Sequence, residues 1–293
     1  MRTFHKKSNL CYTSIIMDNF VDKRDLKLLE KDRYTFFVLR RILDTECRLI
    51  LTDHDKIILC HSSEPHPVWI WTEDNASEED MAAAFKLAED NGFLDGAHTL
   101  NMKYDLADYF IQKSAEKATD KNGTNAEIKK LSITINMLAY DCPNPIPPAP
   151  SDIADGELYQ CQKEDVDELV AIRQQFQKQT GTAELSIEEY RYKSEEVIKK
   201  GTMFFWKNAE GKNVASCTFG PIGELASLGL VYTYPEYRRR HYAQNLVYAV
   251  TKIVEKAGYL PMLYTDADYV ASNACYEKIG YILRGKLCTI GVK

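Results

Sequence analysis

The segment Cys142-Pro143-Asn144-Pro145-Ile146-Pro147-Pro148-Ala149-Pro150 constrains this 293-residue chain more than any other. Proline has no backbone N–H to donate and holds φ near −65°, so five prolines in eight residues exclude a helix interior and a central strand. The run reads as an extended, semi-rigid connector. It divides the chain into two parts, each long enough to bury a core of its own. The expected organisation is an N-terminal α/β domain at 17–142, a linker at 143–155 and a second domain at 156–293. Residues 1–16 carry three basic and no acidic side chains, with no continuous apolar stretch. They read as a tail or an alternative start ahead of Met17, not as a secretory signal.

Charge separates the two parts. Residues 1–150 hold 19 basic and 24 acidic side chains, and residues 151–293 hold 18 and 19. Neither has the basic excess of a nucleic-acid binder. No run of about 18 uncharged apolar residues is present, so no membrane span is expected. With 45% apolar residues and a net charge of −6, the composition is that of a folded chain. The eight cysteines never form a C-x-x-C pair, which reads as packed, reduced thiols of a cytoplasmic protein.

In the first part, Leu26 to Leu43 reads as partly helical, and 48–51, 56–60 and 68–71 as strands. Ser77 to Asn91 reads as a helix with Ser77 as N-cap and acids in its first turn, and Leu131 to Leu138 as a late strand. Alternating helices and strands give an α/β or α+β fold with a mixed sheet. Cys60, His61 and His66, with His54 nearby, offer metal-ligand chemistry but match no zinc spacing, so no metal is expected. The second part reads β-α-α-β-β-β-α-β-α-β. A helix over 164–178 and a capping-box helix from Ser186 to Gly201 come first. A hairpin over 203–219 and a strand over 225–234 follow. A long helix from Arg240 to Lys256 presents Ala243, Leu246, Val247, Val250 and Val254 on one stripe. The last elements are a strand over 261–265, a helix over 272–278 and a strand over 281–290.

The chemistry concentrates where the strand ending at Tyr234 turns into the long helix. A helix N-terminus exposes unpaired N–H groups at the positive end of its dipole, a natural seat for phosphate. Arg238, Arg239 and Arg240 add charge-assisted donors immediately before it. This order, and the segment Arg238-Arg239-Arg240-His241-Tyr242-Ala243, resemble the GNAT superfamily of acyl-CoA-dependent N-acetyltransferases and its Arg/Gln-x-x-Gly-x-Gly/Ala loop. A second match is Ser272-Asn273-Ala274-Cys275-Tyr276-Glu277-Lys278-Ile279-Gly280-Tyr281, similar to the family's Asn-x-x-x-Tyr-x-Lys-x-Gly-Phe/Tyr segment. The resemblance covers about residues 156–293. His241 stands where the family has its key glycine, and Arg239 replaces another. Histidine is among the non-glycine residues that reach positive φ. Its imidazole either donates to the phosphate or crowds it.

The resemblance implies an N-acetyltransferase that moves an acetyl group from acetyl-CoA to a small-molecule or peptide amine, without metal. It would place Val231, Tyr232 and Thr233 along the pantetheine, with a backbone N–H polarising the thioester carbonyl. Arg238, Arg239, Arg240, His241, Tyr242, Ala243 and Gln244 would hold the pyrophosphate. Asn273 would contact the pantetheine arm, and Tyr276 would protonate the leaving thiolate. Glu224 is the candidate general base, with Asp266 and Asp268 as rivals. Cys275 reads as a packed thiol, not a nucleophile. The alternative from another class is a non-catalytic acyl-CoA-binding or interaction protein. The N-terminal domain is expected to be a degenerate copy of the same fold.

Overall fold

The computed structural model describes residues 17–119, 128–181 and 184–292; the expectation for residues 1–16 lies outside them. Two helices, α1 (Lys23–Glu30) and α2 (Phe37–Leu43), precede β1 (Leu49–Thr52), β2 (Ile57–His61) and β3 (Val68–Thr72). Then come α3 (Glu78–Asp90), β4 (Leu100–Met102), α4 (Tyr104–Thr119) and β5 (Ser132–Asp141). After the proline run, the edge strand β6 (Glu157–Gln160) leads into α5 (Val166–Thr180), α6 (Ile187–Lys199), β7 (Met203–Lys207), β8 (Asn213–Ile222) and β9 (Leu225–Thr233). The chain finishes with α7 (Tyr242–Lys256), β10 (Leu260–Asp266), α8 (Val270–Ile279) and β11 (Ile282–Gly291). The order α-α-β-β-β-α-β-α-β therefore occurs twice, with β6 added at the start of the second round.

All the strands join one mixed sheet in the order β1-β2-β3-β4-β11-β5-β10-β9-β8-β7-β6. The two rounds are mirrored about its middle, where they exchange their last strands. β11 pairs with β4, while β5 lies between β10 and β11 and is antiparallel to both. Among the described residues the only parallel pair in each round is the one that spans a crossover helix, β3 with β4 and β9 with β10, as such connections require.

Alternation along the strands assigns the helices to faces. Phe204 and Trp206 of β7 pack with Leu246 and Val250 of α7, whereas Met203 and Phe205 pack with Leu169 and Ile172 of α5. On β10, Leu263 joins the α7 side, and Met262 and Tyr264 face Phe37 of α2. The paired residues Leu287 and Met137 lie with α1 and α2, while Cys288 lies with α3 and α4. So α1, α2, α5 and α6 cover one face, and α3, α4, α7 and α8 cover the other.

The proline-rich connector is not a free tether. Ile146 N–H donates to Ile279 O at 2.7 Å, and Trp206 Nε1 donates to Asp155 O at 2.7 Å. At Gly280, with φ +99°, an added Cβ would stand 2.7 Å from Asn144 O, so the chain passes there only because the residue is glycine. The segment thereby brings Asp152 and Asp155 to the start of α7.

Candidate active site

β9 is distorted just before it ends. Its register with β8 shifts between Ser216/Tyr232 and Thr218/Gly229, leaving one extra residue on β9, and Leu230 there has φ +48°. This is a β-bulge, which bends a strand and ends regular pairing. Ser216 Oγ donates to Leu230 O at 2.8 Å and holds the bulge. On the other side, β9 pairs with β10 only from Leu225↔Leu260 to Ser227↔Met262. Beyond Ser227 the pairing ends and a slot opens between the two strands. Tyr234 N–H donates to Val214 O of β8, so by alternation Val231 and Thr233 turn their backbone groups into that slot.

The turn that follows is held by two residues in the left-handed region, Arg239 at φ +60° and His241 at φ +62°. The conformation that favours glycine is thus adopted at both positions where the resemblance expects glycine. His241 is the N-cap of α7 and makes no side-chain cap bond, so among the described residues the first-turn N–H groups of α7 lack a side-chain cap and stay open to an anion. Arg238 is held on the β9 side of the slot: its Nε donates to Thr233 O at 3.1 Å and its Nη2 to Gln179 Oε1 at 2.9 Å. His241 Nδ1 lies 3.3 Å from Gln244 Oε1 and 3.9 Å from Asp152 Oδ2, and Lys278 Nζ lies 3.4 Å from the same carboxylate. Bonds from Ser151 and Lys278 hold the Asp152 carboxyl below its ordinary range.

These elements enclose a cavity of about 610 Å³ on the α7/α8 face. Of the residues expected from the sequence, Val231, Tyr232, Thr233, Arg238, Arg239, His241, Tyr242, Ala243, Gln244 and Tyr276 line it together. Tyr276 is 6% exposed, its ring is edge-on to Tyr281 at 5.9 Å, and its hydroxyl has no hydrogen-bond partner among the described residues. Burial raises its phenol well above the usual tyrosine range, so it keeps its proton. Cys275 also lines the cavity; burial pushes its thiol up to about 11, which leaves it a thiol at neutral pH and no nucleophile.

Three expected residues fall elsewhere. Glu224 precedes β9 at its opposite end, seven residues and so roughly 23 Å from Val231. There it faces Arg40 at 3.7 Å and Arg33 at 4.0 Å. A strand carries its residues in a line, and sequence proximity to the bulge misplaced this carboxylate. Arg240 lies 5.7 Å over the ring of Tyr237, which lines the cavity, and does not line it itself. Asn273 is buried and spent within the fold, donating from Nδ2 to Asp266 O and Ala267 O and accepting from Thr265 Oγ1. It ties α8 to the end of β10 and does not reach the cavity. Neither Asp266 nor Asp268 lines it, and among the described residues no carboxylate does. Gln179, at the end of α5, was missed; nothing local in the sequence marks a residue brought in by tertiary packing.

The histidine cluster of the first part persists only in part. His54 is buried against Asp25, with Nδ1–Oδ2 2.7 Å, and Cys60 faces Cys47 at 3.5 Å. His61 stays against the His66 backbone and lies beside His98, with the Glu64 carboxylate within 4.8 Å of both rings' nitrogens.

Residues 167–281 match the model of the acetyltransferase (GNAT) family. No curated protein sequence matches the chain. Among solved structures, a GCN5-related N-acetyltransferase from Sphaerobacter thermophilus superposes with a TM-score of 0.65 at 12% identity, covering 94% of each chain. A Drosophila protein gives 0.58 at 11% identity over 92% of this chain and 86% of its own. A GNAT-family acetyltransferase from Colwellia psychrerythraea gives 0.54 at 11% identity over 95% and 100%. At these identities the likeness is one of fold, and it extends over both parts of the chain.

Proposed function

We propose that this chain, whose residues 167–281 form a domain of the GNAT acetyltransferase family, moves an acetyl group from acetyl-CoA to an amine by direct attack on the thioester. One observation carries the reading: an unpaired strand edge, an uncapped basic helix start and a protonated phenol surround one cavity of about 610 Å³. Arg238, Arg239 and the first-turn N–H groups of α7 suit a pyrophosphate. The edge at Val231 and Thr233 suits the amide-rich pantetheine arm.

In this reading the free amine attacks the thioester carbonyl, forming the C–N bond as the oxygen gains charge against a backbone N–H of β9. The C–S bond then breaks, and Tyr276 donates its proton to the departing thiolate. A thiol of pKa near 8.5 needs only modest help to leave. With no carboxylate on the cavity, the amine enters already deprotonated and gives its second proton to solvent. We read residues 17–142 as a degenerate copy of the fold that shapes the acceptor side, with 143–155 as linker.

Calorimetry with acetyl-CoA, followed by release of free thiol over a panel of amines, tests this. Absence of binding at millimolar acetyl-CoA overturns it. Binding without thiol release favours the second reading, a non-catalytic acyl-CoA-binding protein, which the lack of a carboxylate base on the cavity supports.

A further inference from the structure

His61 closes β2, and alternation puts it on the same side as Ile57 and Leu59, the face covered by α3 and α4. Cys60 points the other way, into the core beneath α1 and α2. The His61 ring is 1% exposed, and its Nε2 is buried with no hydrogen-bond partner among the described residues. An unpaired ring nitrogen in a protein interior is costly and calls for a partner. Phe93, just after α3, meets the His61 ring edge-on at 5.3 Å and the His98 ring at 5.1 Å. The two imidazoles stand edge-on to each other at 5.6 Å. One aromatic side chain therefore sets both histidines.

Glu64, in the β2–β3 turn, reaches both rings. Its Oε1 lies 3.1 Å from His98 Nε2, and its Oε2 lies 4.0 Å from His61 Nε2. One ligand atom from each of the three residues falls within 4.8 Å of the other two. A proton shared by His98 and Glu64 satisfies that pair and leaves His61 Nε2 bare. A divalent cation set among the three serves them all. Zinc–ligand bonds of about 2.0–2.2 Å in a tetrahedron put neighbouring ligand atoms about 3.3 Å apart, and the distances of 3.1 and 4.0 Å bracket that spacing. Two imidazoles with one carboxylate suit zinc, whereas calcium and magnesium take oxygen ligands. Arg48 Nη1 donates to Glu64 Oε1 at 2.8 Å and leaves Oε2, the oxygen toward His61, without a hydrogen bond among the described residues. Glu64 is 52% exposed, so water and a metal ion can enter from its side. His98 turns its other nitrogen, Nδ1, to Asp95 Oδ1 at 3.0 Å, and that oxygen also accepts from the N–H groups of Ala97 and His98. A carboxylate on the far nitrogen of a ligand histidine fixes the ring and raises its basicity.

We propose that His61, Glu64 and His98 bind one divalent metal ion of the zinc class, with water in the fourth position and Asp95 orienting His98. The ion ties the β2–β3 turn to the loop before β4. The residues around His61 match no zinc spacing because the third ligand stands 34 positions after Glu64. The site shares no residue with the cavity at the start of α7, so the proposal does not depend on acetyl transfer.

The test uses the full chain, stripped with a chelator and dialysed, then titrated with Zn²⁺ in calorimetry and with Co²⁺ by visible absorption. One ion per chain is expected to bind with micromolar or tighter affinity, and Co²⁺ to give the intense visible band of four-coordination. His61 is too buried to serve as the only variant, so the ligand variants are His98→Gln and Glu64→Gln, whose side chains reach the surface. Each is expected to weaken Zn²⁺ at least tenfold. Asp95→Asn keeps an oxygen for the loop N–H groups and loses the charge. It is expected to weaken Zn²⁺ about tenfold and to shift the Co²⁺ band; equal affinity with an unshifted band overturns the role of Asp95.

A ligand that binds only the folded chain stabilises it by mass action. Zn²⁺ at about a hundred times its dissociation constant is therefore expected to raise the thermal midpoint by about 4 °C and to leave that of His98→Gln unmoved. Absence of binding at millimolar Zn²⁺ overturns the proposal. So does full affinity in either His98→Gln or Glu64→Gln, which would place the ion on other side chains, the cysteine thiols first among them.

Discussion

The two rounds of the fold build the same strand–turn–helix unit and give its end opposite chemistry. In the first round β3 runs into Glu73, Asp74 and Asn75, and α3 opens with Glu78, Glu79 and Asp80. Ser77 caps that helix in a reciprocal box with Asp80. In the second round β9 runs into Arg238, Arg239 and His241, and α7 has no side-chain cap. One helix start is acidic and closed; the other is basic and open. The parting of the parallel strands differs as well. β3 and β4 pair over two residues only, and the space beyond holds Lys103, 2.7 Å from both Asp32 and Asp74 and set over the Trp71 ring. Asp32 also accepts from Trp71 Nε1 at 2.7 Å. A smaller cavity of about 300 Å³ remains there, against about 610 Å³ in the second round. The fold supplies the unit, and a handful of side chains decides whether it can receive a phosphate.

The comparison breaks most decisively at the basic turn. Replacing Arg238 and Arg239 together by alanine removes two charge-assisted donors, each worth about 1.5–3 kcal/mol. The dissociation constant for acetyl-CoA is expected to rise roughly 100-fold or more, as calorimetry would read. Unchanged affinity would move the ligand out of the second round altogether.

The next effect concerns the proton donor. Counted from the first helical residue, Tyr276 of α8 corresponds to Phe110 of α4, which is fully buried and has no hydroxyl. Tyr276→Phe therefore makes the second round resemble the first at one atom. We expect kcat to fall about 100-fold with acetyl-CoA affinity unchanged; a normal kcat would remove the phenol from the reaction. Because burial raises the phenol above its ordinary value, its proton is fully present below pH 10 and is lost only well above it. The wild-type kcat profile should therefore show no descending limb from this group between pH 8 and 10.

What the sequence disclosed follows the same division. Elements with a strong local signature were legible: the Ser77 and Ser186 capping boxes, the apolar stripe of α7, and the hairpin over 203–219 all form. The helix α4 and the three-residue strand β4 were not read, since β4 is too short to show alternation. The exchange of β5 and β11 was invisible because the same alternating pattern satisfies a partner from either round. At the site, the backbone positions 231–233 and the turn were legible, since a strand followed by a basic helix start is a local pattern. Glu224 and Asn273 were misplaced for one reason. Their roles depend on which end of a strand they occupy and on which carbonyls they meet, and both are set by tertiary structure.

The smallest effects sharpen the contrast between the two helix starts. Ser77→Ala removes the side-chain acceptor for Asp80 N–H, 3.1 Å away, and should cost about 1 kcal/mol of stability in thermal or denaturant unfolding. His241→Gly should cost almost nothing. Relief of the left-handed backbone contributes about 1 kcal/mol, and the extra freedom of glycine in the unfolded chain cancels most of it. Affinity for acetyl-CoA should improve a few-fold. The His241 ring lines the cavity at the start of α7, with Nδ1 3.3 Å from Gln244 Oε1, and fills space that a phosphate at the open N–H groups would take. Weaker binding in His241→Gly would instead make the imidazole a ligand, and the second helix start would then be closed by its own side chain much as Ser77 closes the first.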